Sequence, residues 1–429
     1  MHKESTVFTI PDNAPAAGRK LAKATAELNK PLLPDIGVLA VVPDRWGPFW
    51  MSRHQVLVRL ARYFHVIWVN PAKEWRKIAE SADKPSKVET EGPKLPGFSV
   101  YEPEFWLPLV YRPSWLRRSL ARARLMRARR QLTRRGAEKV ILSLWTPEFG
   151  EALGLVPFDL SCYHIVDEYS YSCTESTPHE QEIRVLKDVD QVIVRSMRLL
   201  ERKGPYNPNT VLIPNGVDYE SFADQAPEPA DLRSIPRPRI GYTGFLKKQL
   251  DWALLVTLAH QHPLWQFVFV GEQCTHAEII PFVTELSTLP NAHFLGAKST
   301  RELAPYAQHF DVCIMPYRVD GYTQNIYPLK LHEFLASGRP VAGSRIATLE
   351  MFSEVVSLAD TPGEWSKAIS SCLEPRANRE EFRRARQRVA QEHDWELLTQ
   401  KTARVLLQHF NPGVLKRFEE KISLNSRGE

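Results

Sequence analysis

The chain alternates short apolar runs with helix-length segments, and it does so in two successive series. The first series opens with the run 35–43 (DIGVLAVVP) and closes with the run 210–214 (TVLIP). Near-continuous apolar runs are typical of strands covered on both faces, and the segments between them are long enough for crossover helices. The second series opens at 239–244 (RIGYTG) and closes with an amphipathic segment at 329–338. Each series predicts a parallel, doubly wound α/β sheet.

A proline-rich, acidic segment separates the two series. Residues 220–238 carry four prolines and several acids, which is typical of an interdomain linker. At 429 residues the chain is too long for one ordinary domain and suits two. The pattern predicts five parts: a poorly ordered arm at 1–34, a Rossmann-like domain at 35–219, the linker, a second Rossmann-like domain at 239–393, and a helix and tail at 394–429. Whether the last part crosses back to the first domain stays open, and we expect fraying after Pro412.

Composition excludes several classes of protein. Hydrophobic residues make up 43% and charged residues 25% of the chain, which is an ordinary globular balance. The first residues lack the apolar core of a secretory signal, and no run reaches the roughly 18 apolar residues that cross a bilayer. The five cysteines are odd in number and show no C-x-x-C spacing. We therefore expect no disulfide framework, no zinc site and a reducing, cytoplasmic setting.

The strongest local signal is the segment 327–341, YPLKLHEFLASGRPV. Pro328 is expected in the first helical turn, where a missing N–H is tolerated. The free amides of Leu329 and Lys330 would then form an anion site at the positive end of the helix dipole, which suits a diphosphate. Glu333 lies one turn further on the same face, where its carboxylate can accept ribose hydroxyls. The alternative is an amphipathic helix with a solvated lysine–glutamate pair.

This helix resembles the donor-binding helix of the retaining GT-B glycosyltransferases of group 1, which are family 4-like, in their PLKL-type subgroup. In that family two glutamates stand eight positions apart, and the second contacts ribose. Glu333 matches the second glutamate, and Asn325 stands where the first would be. Asn325 can still hydrogen-bond the sugar, but the catalytic carboxylate assigned there in the family is absent. The donor-binding residues that the resemblance implies are Gly244, Asn325, Tyr327, Leu329, Lys330 and Glu333.

Other segments follow in the order that this family has. They are 48–71 and 163–170 (YHIVDEYS) in the first half, then 213–218 (IPNGVD) and 239–255 (RIGYTGFLKKQLDWALL). The resemblance runs from about residue 36 to 400. It implies a GT-B fold, in which two Rossmann-like domains face a central cleft. It also implies a nucleotide-sugar donor, no cofactor, and a metal-independent reaction that retains anomeric configuration.

The turn 241–244 (GYTG) is the second candidate for phosphate binding. It follows a predicted strand and precedes a predicted helix, but it lacks the G-x-G-x-x-G pattern of dinucleotide-binding enzymes. A glycine there lets the backbone approach a pyrophosphate closely. Lys247 or Lys248 can neutralise a departing diphosphate, so both join Lys330 as catalytic candidates. A solvated helix start is the alternative for these two lysines.

The first half offers candidates for the acceptor side. Arg53 and His54 follow the first strand, where a doubly wound sheet opens its ligand crevice. Either can grip an acceptor or a phosphate, although a structural role is favoured for His54. Asp167 and Glu168 end a later strand, and one of them can orient the acceptor hydroxyl or act as a base. A capping or surface carboxylate is the alternative for this pair.

The Asn215–Gly216 pair predicts a turn, because glycine adopts positive φ without strain. The turn joins the last strand of the first series to the linker. We interpret it as a hinge without ligand contact, a structural role that is consistent with the family.

Residues 112–135 carry ten arginines and no acid. Leu116, Leu120, Met126 and Leu132 give this segment only a thin apolar stripe. A basic amphipathic helix can lie on an anionic leaflet, which suits an enzyme with a lipid-linked sugar acceptor at the inner face of the cell membrane. No nucleic-acid motif accompanies the charge, so we expect no nucleic acid partner. A solvated crossover helix is the alternative.

These patterns predict transfer of a sugar from a nucleotide-diphosphate sugar to an acceptor hydroxyl, in the biosynthesis of a surface polysaccharide or exopolysaccharide. Two alternatives stay open. A non-catalytic GT-B scaffold that binds nucleotide sugar or glycan is compatible with Asn325 in place of the first glutamate. A nucleotide-sugar 2-epimerase would need acidic residues and a histidine that converge on the donor sugar.

Overall fold

The computed structural model describes residues 30–47, 50–74, 95–169, 179–274 and 276–427. Up to residue 29, the predicted N-terminal arm lies outside the described residues. Leu32 and Leu33, in the part of the arm that is described, are buried against the first half of the chain. The described residues form two parallel sheets, one in each half.

The first sheet has seven parallel strands in the order β3-β2-β1-β4-β5-β6-β7. The strands are β1 Ile36–Val41, β2 His65–Val69, β3 Phe98–Tyr101, β4 Lys139–Leu144, β5 Leu160–Ile165, β6 Gln191–Val194 and β7 Thr210–Leu212. Its helices are α1 Ser52–Leu60, α2 Ser114–Arg134, α3 Glu180–Asp188 and α4 Met197–Lys203, with a 3₁₀ segment at Pro147–Gly154. The strand order reverses between β1 and β4, which is where such a sheet opens its crevice.

The second sheet has six parallel strands in the order β10-β9-β8-β11-β12-β13. The strands are β8 Arg239–Thr243, β9 Gln266–Val270, β10 Ala292–Phe294, β11 Val312–Met315, β12 Val341–Ser344 and β13 Ser357–Ala359. The helices are α5 Tyr219–Ala223, α6 Ala230–Arg233, α7 Trp252–Gln261, α8 Ile280–Thr288, α9 Leu303–His309, α10 Leu329–Ala336, α11 Ala347–Glu350, α12 Pro362–Leu373 and α13 Glu380–Glu392. Two doubly wound α/β sheets confirm the predicted fold class.

The apolar runs form the cores. All six residues of β1 and all five of β2 are buried, as expected for strands covered on both faces. One buried cluster lies on each face of the first sheet, and a third surrounds the second sheet. The predicted strands are present, whereas β3 and β13 were not expected from the sequence.

The end of the chain returns to the first half. Helices α14 (Trp395–Leu407) and α15 (Pro412–Arg427) place Trp395 and Phe418 in a core cluster of the first sheet. Arg62 also donates to Glu396 at 2.6 Å. The prediction that the chain frays after Pro412 is wrong, because burial of Phe418 holds that segment as a helix.

The segment 220–238 is packed, although its prolines suggested a plain linker. It contains α6 and most of α5. Phe222, Leu232 and Ile235 are buried in the core of the second half. The segment therefore packs as part of the second half, and the chain leaves the first sheet before it, after β7.

Candidate active site

The carboxyl ends of the two sheets face a cavity of about 580 Å³. Doubly wound sheets bind their ligands at these ends, so both halves present their expected binding edge to the same space. From the first half the lining residues are Trp50, Met51, Ser52, Arg53, Val166, Asp167 and Asn215. From the second half they include Tyr242, Gly244, Phe245, Lys247, Gln249, Gly271, Glu272, Lys298, Tyr317, Tyr322, Tyr327, Pro328, Leu329 and Lys330.

Helix α10 begins at the cavity. Pro328 is the residue just before the helix, with φ −64° and ψ 128°, so the prediction that it lies within the first turn is off by one position. No side chain caps this end of the helix. The first amides of a helix have no intrahelical acceptor, and Leu329 and Lys330 line the cavity. This end of α10 can therefore bind an anion through backbone amides and the helix dipole.

Gly244 and Lys330 meet at the floor of the cavity. Gly244 has φ +116°, a conformation that L side chains rarely adopt, and its amide donates to Val270 at 2.7 Å. A Cβ at position 244 would overlap the end of the Lys330 side chain. The Lys330 ammonium lies 6.0 Å from the centroid of the Tyr242 ring. Glycine at 244 therefore makes room for the Lys330 side chain beside residues 241–244, which we call the β8 turn.

Burial sets the electrostatics of this cluster. It lowers the pKa of Lys330, with a smaller contribution from Lys247, while Glu333 acts in the opposite direction. Burial also raises the pKa of Glu333, and the nearby Lys330 opposes that shift. Oε2 of Glu333 is buried without a hydrogen-bond partner among the described residues. Glu333 does not itself line the cavity, so it offers a free acceptor one helical turn behind the cationic surface.

The two neighbouring lysines after β8 differ. Lys247 lines the cavity, and its ammonium lies 5.7 Å from the ring centroid of Phe245. Lys248 does not line it. Of the two, only Lys247 is therefore positioned with Lys330 to meet a diphosphate.

Asn325 points away from the cavity. It is 4% exposed, and its side-chain amide donates to the carbonyl of Gly321 at 2.6 Å. Its own carbonyl accepts from Ser196 in the first half, also at 2.6 Å. In this structure Asn325 therefore joins the two halves, and sugar contact at this position stays a prediction.

Tyr327 lines the cavity, and its hydroxyl shares a 2.8 Å hydrogen bond with His332. The Tyr327 carbonyl accepts from the side chain of Asn215 at 2.7 Å. Asn215 thus ties the turn between the two halves to the start of α10. Because Asn215 also lines the cavity, this turn lies beside the candidate ligand site.

Gly216 needs a different explanation from the one its turn pattern indicated. It is not among the described glycines with positive φ, so the argument from positive φ is wrong. A Cβ at 216 would collide with the carbonyl of His393. The amide of Val217 donates to that carbonyl at 3.0 Å. Close approach of two chain segments is therefore what requires glycine at this position.

Arg53 and Asp167 are the charged residues that line the cavity from the first half. Arg53 is 7% exposed and forms an ion pair with Asp44. The hydroxyl of Tyr322, in the second half, donates to Asp167 at 2.9 Å. Burial raises the pKa of Tyr322, and the nearby Asp167 carboxylate raises it further. Asp167 thus carries a contact from one side of the cleft to the other.

His54 lies in an aromatic environment instead of the cavity. It is 1% exposed, with ring centroids 4.5 Å from Trp68 and 5.2 Å from Trp46. Burial, helped by the adjacent Arg53, lowers the pKa of His54 to about 3. Its Nδ1 accepts from the amide of Met51 at 3.2 Å. These contacts are those of a neutral, structural histidine at the start of α1.

Glu168 faces the interior of the first half. Its carboxylate pairs with Lys203 at 2.7 Å and with Arg202 at 3.0 Å. Lys203 also pairs with the buried Glu182 at 2.9 Å. This buried network leaves Asp167, the residue before Glu168, as the carboxylate on the cleft.

Several lining residues carry no motif that would have revealed them. Trp50, Lys298 and the pair Tyr317 and Tyr322 lie on three separate loops that only the fold brings together. For Tyr322, position in the loop after β11 was the one available signal. Across the described ranges, no group of three or more histidine, cysteine, aspartate or glutamate side chains is arranged to hold a metal ion.

The predicted basic helix is present as α2, but its buried face differs from the predicted stripe. Leu125, Ala128 and Leu132 are its buried residues. Leu116 and Met126, which were expected to share the apolar stripe with Leu132, are only half-buried. No helix in the part of the chain that the structure describes is long and apolar enough to cross a membrane.

The two sheets and the cleft between them define the GT-B fold. Solved structures of that class match over most of the chain. An E. coli structure described as trehalose-6-phosphate bound with UDP-2-fluoro glucose aligns with a TM-score of 0.61 at 13% identity, covering 87% of this chain and 99% of that one. An alpha,alpha-trehalose-phosphate synthase (UDP-forming) from Burkholderia xenovorans aligns with a TM-score of 0.60 at 14% identity, covering 86% and 99%. At these identities the likeness shows the fold alone.

Sequence comparison adds one family model, which matches part of the second half, and one similar protein. Residues 237–375 match the family model described as Glycosyl transferases group 1. The chain is 30% identical over 228 residues to TuaH of Bacillus subtilis (strain 168), a protein named provisionally as a teichuronic acid biosynthesis glycosyltransferase. The match covers 51% of this chain and 56% of the relative, so it spans about half the length of each. The family-model match contains α10, the β8 turn and the floor of the cavity.

Proposed function

We propose that this chain is a glycosyltransferase that moves a sugar from a nucleotide-diphosphate sugar to an acceptor hydroxyl, in the biosynthesis of a surface polysaccharide or exopolysaccharide. The match of residues 237–375 to group 1 glycosyl transferases supports the reaction class. The similarity to a protein named for teichuronic acid biosynthesis supports the class of product.

The observation that carries this proposal is the arrangement at the start of α10. Uncapped helix amides and the Lys330 side chain meet in one cavity, with Lys247 also on its lining. Behind them, Glu333 holds a buried oxygen without a hydrogen-bond partner among the described residues. A nucleoside diphosphate fits both features, since its phosphates need cations and amides and its ribose hydroxyls need an acceptor.

The chemistry follows from where charge develops. As the bond to the diphosphate breaks, negative charge grows on the leaving group and the anomeric carbon becomes oxocarbenium-like. Fixed donors near the leaving group stabilise that charge without reorganising. Lys330, the α10 amides and Lys247 are the groups we assign to this task. We further propose retention of anomeric configuration and independence from metal ions, which the family resemblance implies.

For the acceptor side we propose Arg53 and Asp167, which line the cavity from the first half. Asp167 would orient the acceptor hydroxyl once Tyr322 releases it. The arginine-rich helix α2 supports an acceptor that is a lipid-linked sugar, presented at the cytoplasmic face of the cell membrane.

The test is incubation of the purified chain with a panel of nucleotide-diphosphate sugars, with and without candidate lipid-linked acceptors. We expect slow nucleoside diphosphate release from one donor alone, and faster release with a glycosylated product when its acceptor is added. Unchanged turnover in a chelator would support metal independence, and the anomeric proton coupling of the product would report retention.

The same experiment separates the alternatives. Conversion of the donor to its 2-epimer without an acceptor would indicate an epimerase. Asn325 is the observation that favours a non-catalytic scaffold, because its buried side chain replaces an acid. Saturable donor binding without release under any acceptor condition would therefore contradict the transferase proposal.

A further inference from the structure

Four large aromatic side chains are exposed within eleven residues of the first half. Phe105 is 71% exposed, Trp106 56%, Tyr111 63% and Trp115 67%. Phe105 and Trp106 pack edge to face with ring centroids 4.8 Å apart. We call these four residues the aromatic rim. Large apolar side chains that cluster at the surface mark interaction sites more often than scattered ones do.

The aromatic rim lies at the cleft edge of the first sheet. Residues 102–113 follow the carboxyl end of β3, and the cavity lies at the carboxyl ends of the same sheet. Arg45, in the loop after β1, donates to Pro71 at 3.0 Å and pairs with Glu102. The loops after β1, β2 and β3 are therefore held together on one side of the molecule.

Helix α2 holds this loop in place. Arg124 donates to the carbonyls of Leu107 and Pro108 at 3.0 and 2.7 Å. The guanidinium of Arg127 lies 6.0 Å from the ring centroid of Trp106. The loop therefore packs against the middle of α2 and forms one continuous surface with the first half of that helix.

The seven arginines of residues 112–129 divide into two sets. Arg117, Arg124, Arg127 and Arg129 contact other parts of the first half, through Glu151, Glu104 and loop carbonyls. Arg112, Arg118 and Arg122 are exposed and form no ion pair with another described residue. Trp115, Arg118 and Arg122 recur at helical spacing, so they share one face of α2. The second set is the charge that this surface offers to a partner.

The acids beside the aromatic rim are engaged internally. Glu102 accepts from Asn70 at 2.8 Å in addition to its pair with Arg45. Glu104 accepts from Tyr101 at 2.6 Å and pairs with Arg127 at 3.4 Å. The surface therefore combines aromatic rings with free positive charge.

We propose that the aromatic rim, with Arg112, Arg118 and Arg122, docks this chain onto an anionic lipid bilayer. Phe105 and Trp106 enter the headgroup region, where aromatic rings are favoured, and the arginines bind lipid phosphates. The position at the cleft edge brings the acceptor side of the cavity toward the membrane. That last step rests on the proposed function, whereas lipid binding does not.

The test is co-sedimentation with vesicles of zwitterionic lipid alone and of zwitterionic lipid mixed with phosphatidylglycerol. We expect binding to the anionic vesicles, and release at high salt, where the Debye length falls to about 3 Å. Two variants remove parts of the surface: R112Q/R118Q/R122Q, and F105S/W106S. Each should weaken binding by at least about tenfold while the thermal unfolding midpoint stays near that of the parent.

The matched controls lie on the second half. R233Q/R376Q/R388Q removes the same charge from three exposed arginines, and Leu264→Ser removes a side chain that is 80% exposed. Both should bind vesicles as the parent does. Equal losses in the control and test variants, or no loss in the test variants, would overturn the proposal, as would binding to a soluble polysaccharide but not to lipid. Nucleotide titration without vesicles tests the proposed function separately, so the two proposals fail independently.

Discussion

The two sides of the cleft are built in different ways. On the side of the second half, one continuous segment supplies Leu329, Lys330 and Glu333, and a single glycine turn lies against it. On the side of the first half, Arg53 on α1 pairs with Asp44 in the loop after β1, whereas Asp167 after β5 accepts from Tyr322 of the second half. Local helix geometry fixes the donor side, whereas residues from two separate loop regions and a contact across the cleft assemble the acceptor side. Substitutions should therefore separate donor binding from acceptor use.

The largest effect is expected at Gly244. Gly244→Ala places a Cβ where the Lys330 side chain lies, on a backbone with φ +116°. Because the added methyl displaces the Lys330 ammonium and also strains the turn, kcat at saturating donor, measured by steady-state kinetics, should fall by at least about a thousandfold. The control is Gly136→Ala in the first half, where φ is +99° and a Cβ meets nothing within 4 Å. If both variants lose turnover equally, the cost lies in general destabilisation and the Lys330 contact is not responsible.

Lys330 should matter more to turnover than to binding. Lys330→Ala removes a cation from the place where leaving-group charge grows, so kcat should fall by about 10²–10³ with a smaller change in donor KM. Lys248→Ala is the matched control, because Lys248 does not line the cavity. Steady-state kinetics against donor concentration would check this. A rise in KM at constant kcat would contradict this role, because it would mean that Lys330 binds the donor substrate and its transition state equally well.

The acceptor side should respond to Asp167. Asp167→Asn keeps the shape but removes the charge, and kcat/KM for the acceptor should fall by about tenfold. The affinity for the nucleoside diphosphate should stay unchanged, because Asp167 lies across the cleft from α10. Glu168→Gln should affect stability instead of acceptor use, because it removes a charged partner of the buried Lys203. Its thermal unfolding midpoint should therefore fall. Loss of donor affinity in Asp167→Asn would contradict the assignment of donor binding and acceptor binding to opposite sides of the cleft.

The smallest expected effect is the uptake of a proton when the diphosphate binds. Burial lowers the pKa of Lys330, so its ammonium loses a proton at lower pH than a free lysine does. A bound diphosphate favours the charged form and raises that pKa again, so binding at alkaline pH should take up a proton and affinity should fall as pH rises. Calorimetry in two buffers of different ionisation enthalpy measures the uptake. Lys330→Met should abolish it, and equal uptake in both proteins would assign it to another group.

Local rules explain which parts of this site the sequence could predict. Positions along one helix were enough to predict three features: the helix that begins at Leu329, its anion-binding end and the free acceptor at Glu333. Its proline lies one residue earlier than expected, which leaves those positions unchanged. The fold followed for the same reason, since long apolar runs specify buried parallel strands. The short strands β3 and β13 are only partly buried, and they gave no comparable signal.

Three pairs of adjacent residues show what the sequence could not predict, namely which member of each pair lines the cavity. Sequence analysis predicted site residues in three adjacent pairs: Arg53 with His54, Asp167 with Glu168, and Lys247 with Lys248. In each pair only the first residue lines the cavity. The partner residues His54 and Glu168 lie in the interior of the first half. Adjacent side chains leave the backbone in different directions, and composition does not say which direction meets the cleft. The Tyr322 contact to Asp167 joins residues far apart in the chain, so no local pattern could reveal it.

The central claim is that α10 binds a nucleoside diphosphate through its amides, Lys330 and Glu333. The most direct measurement is calorimetric titration of the parent chain and Glu333→Ala with the same panel of nucleoside diphosphates. The parent should bind one or more of them, and the variant should bind more than about tenfold more weakly because a charged acceptor for the ribose is lost. Unchanged affinity in a folded variant, or no binding by the parent to any member of the panel, would contradict the claim.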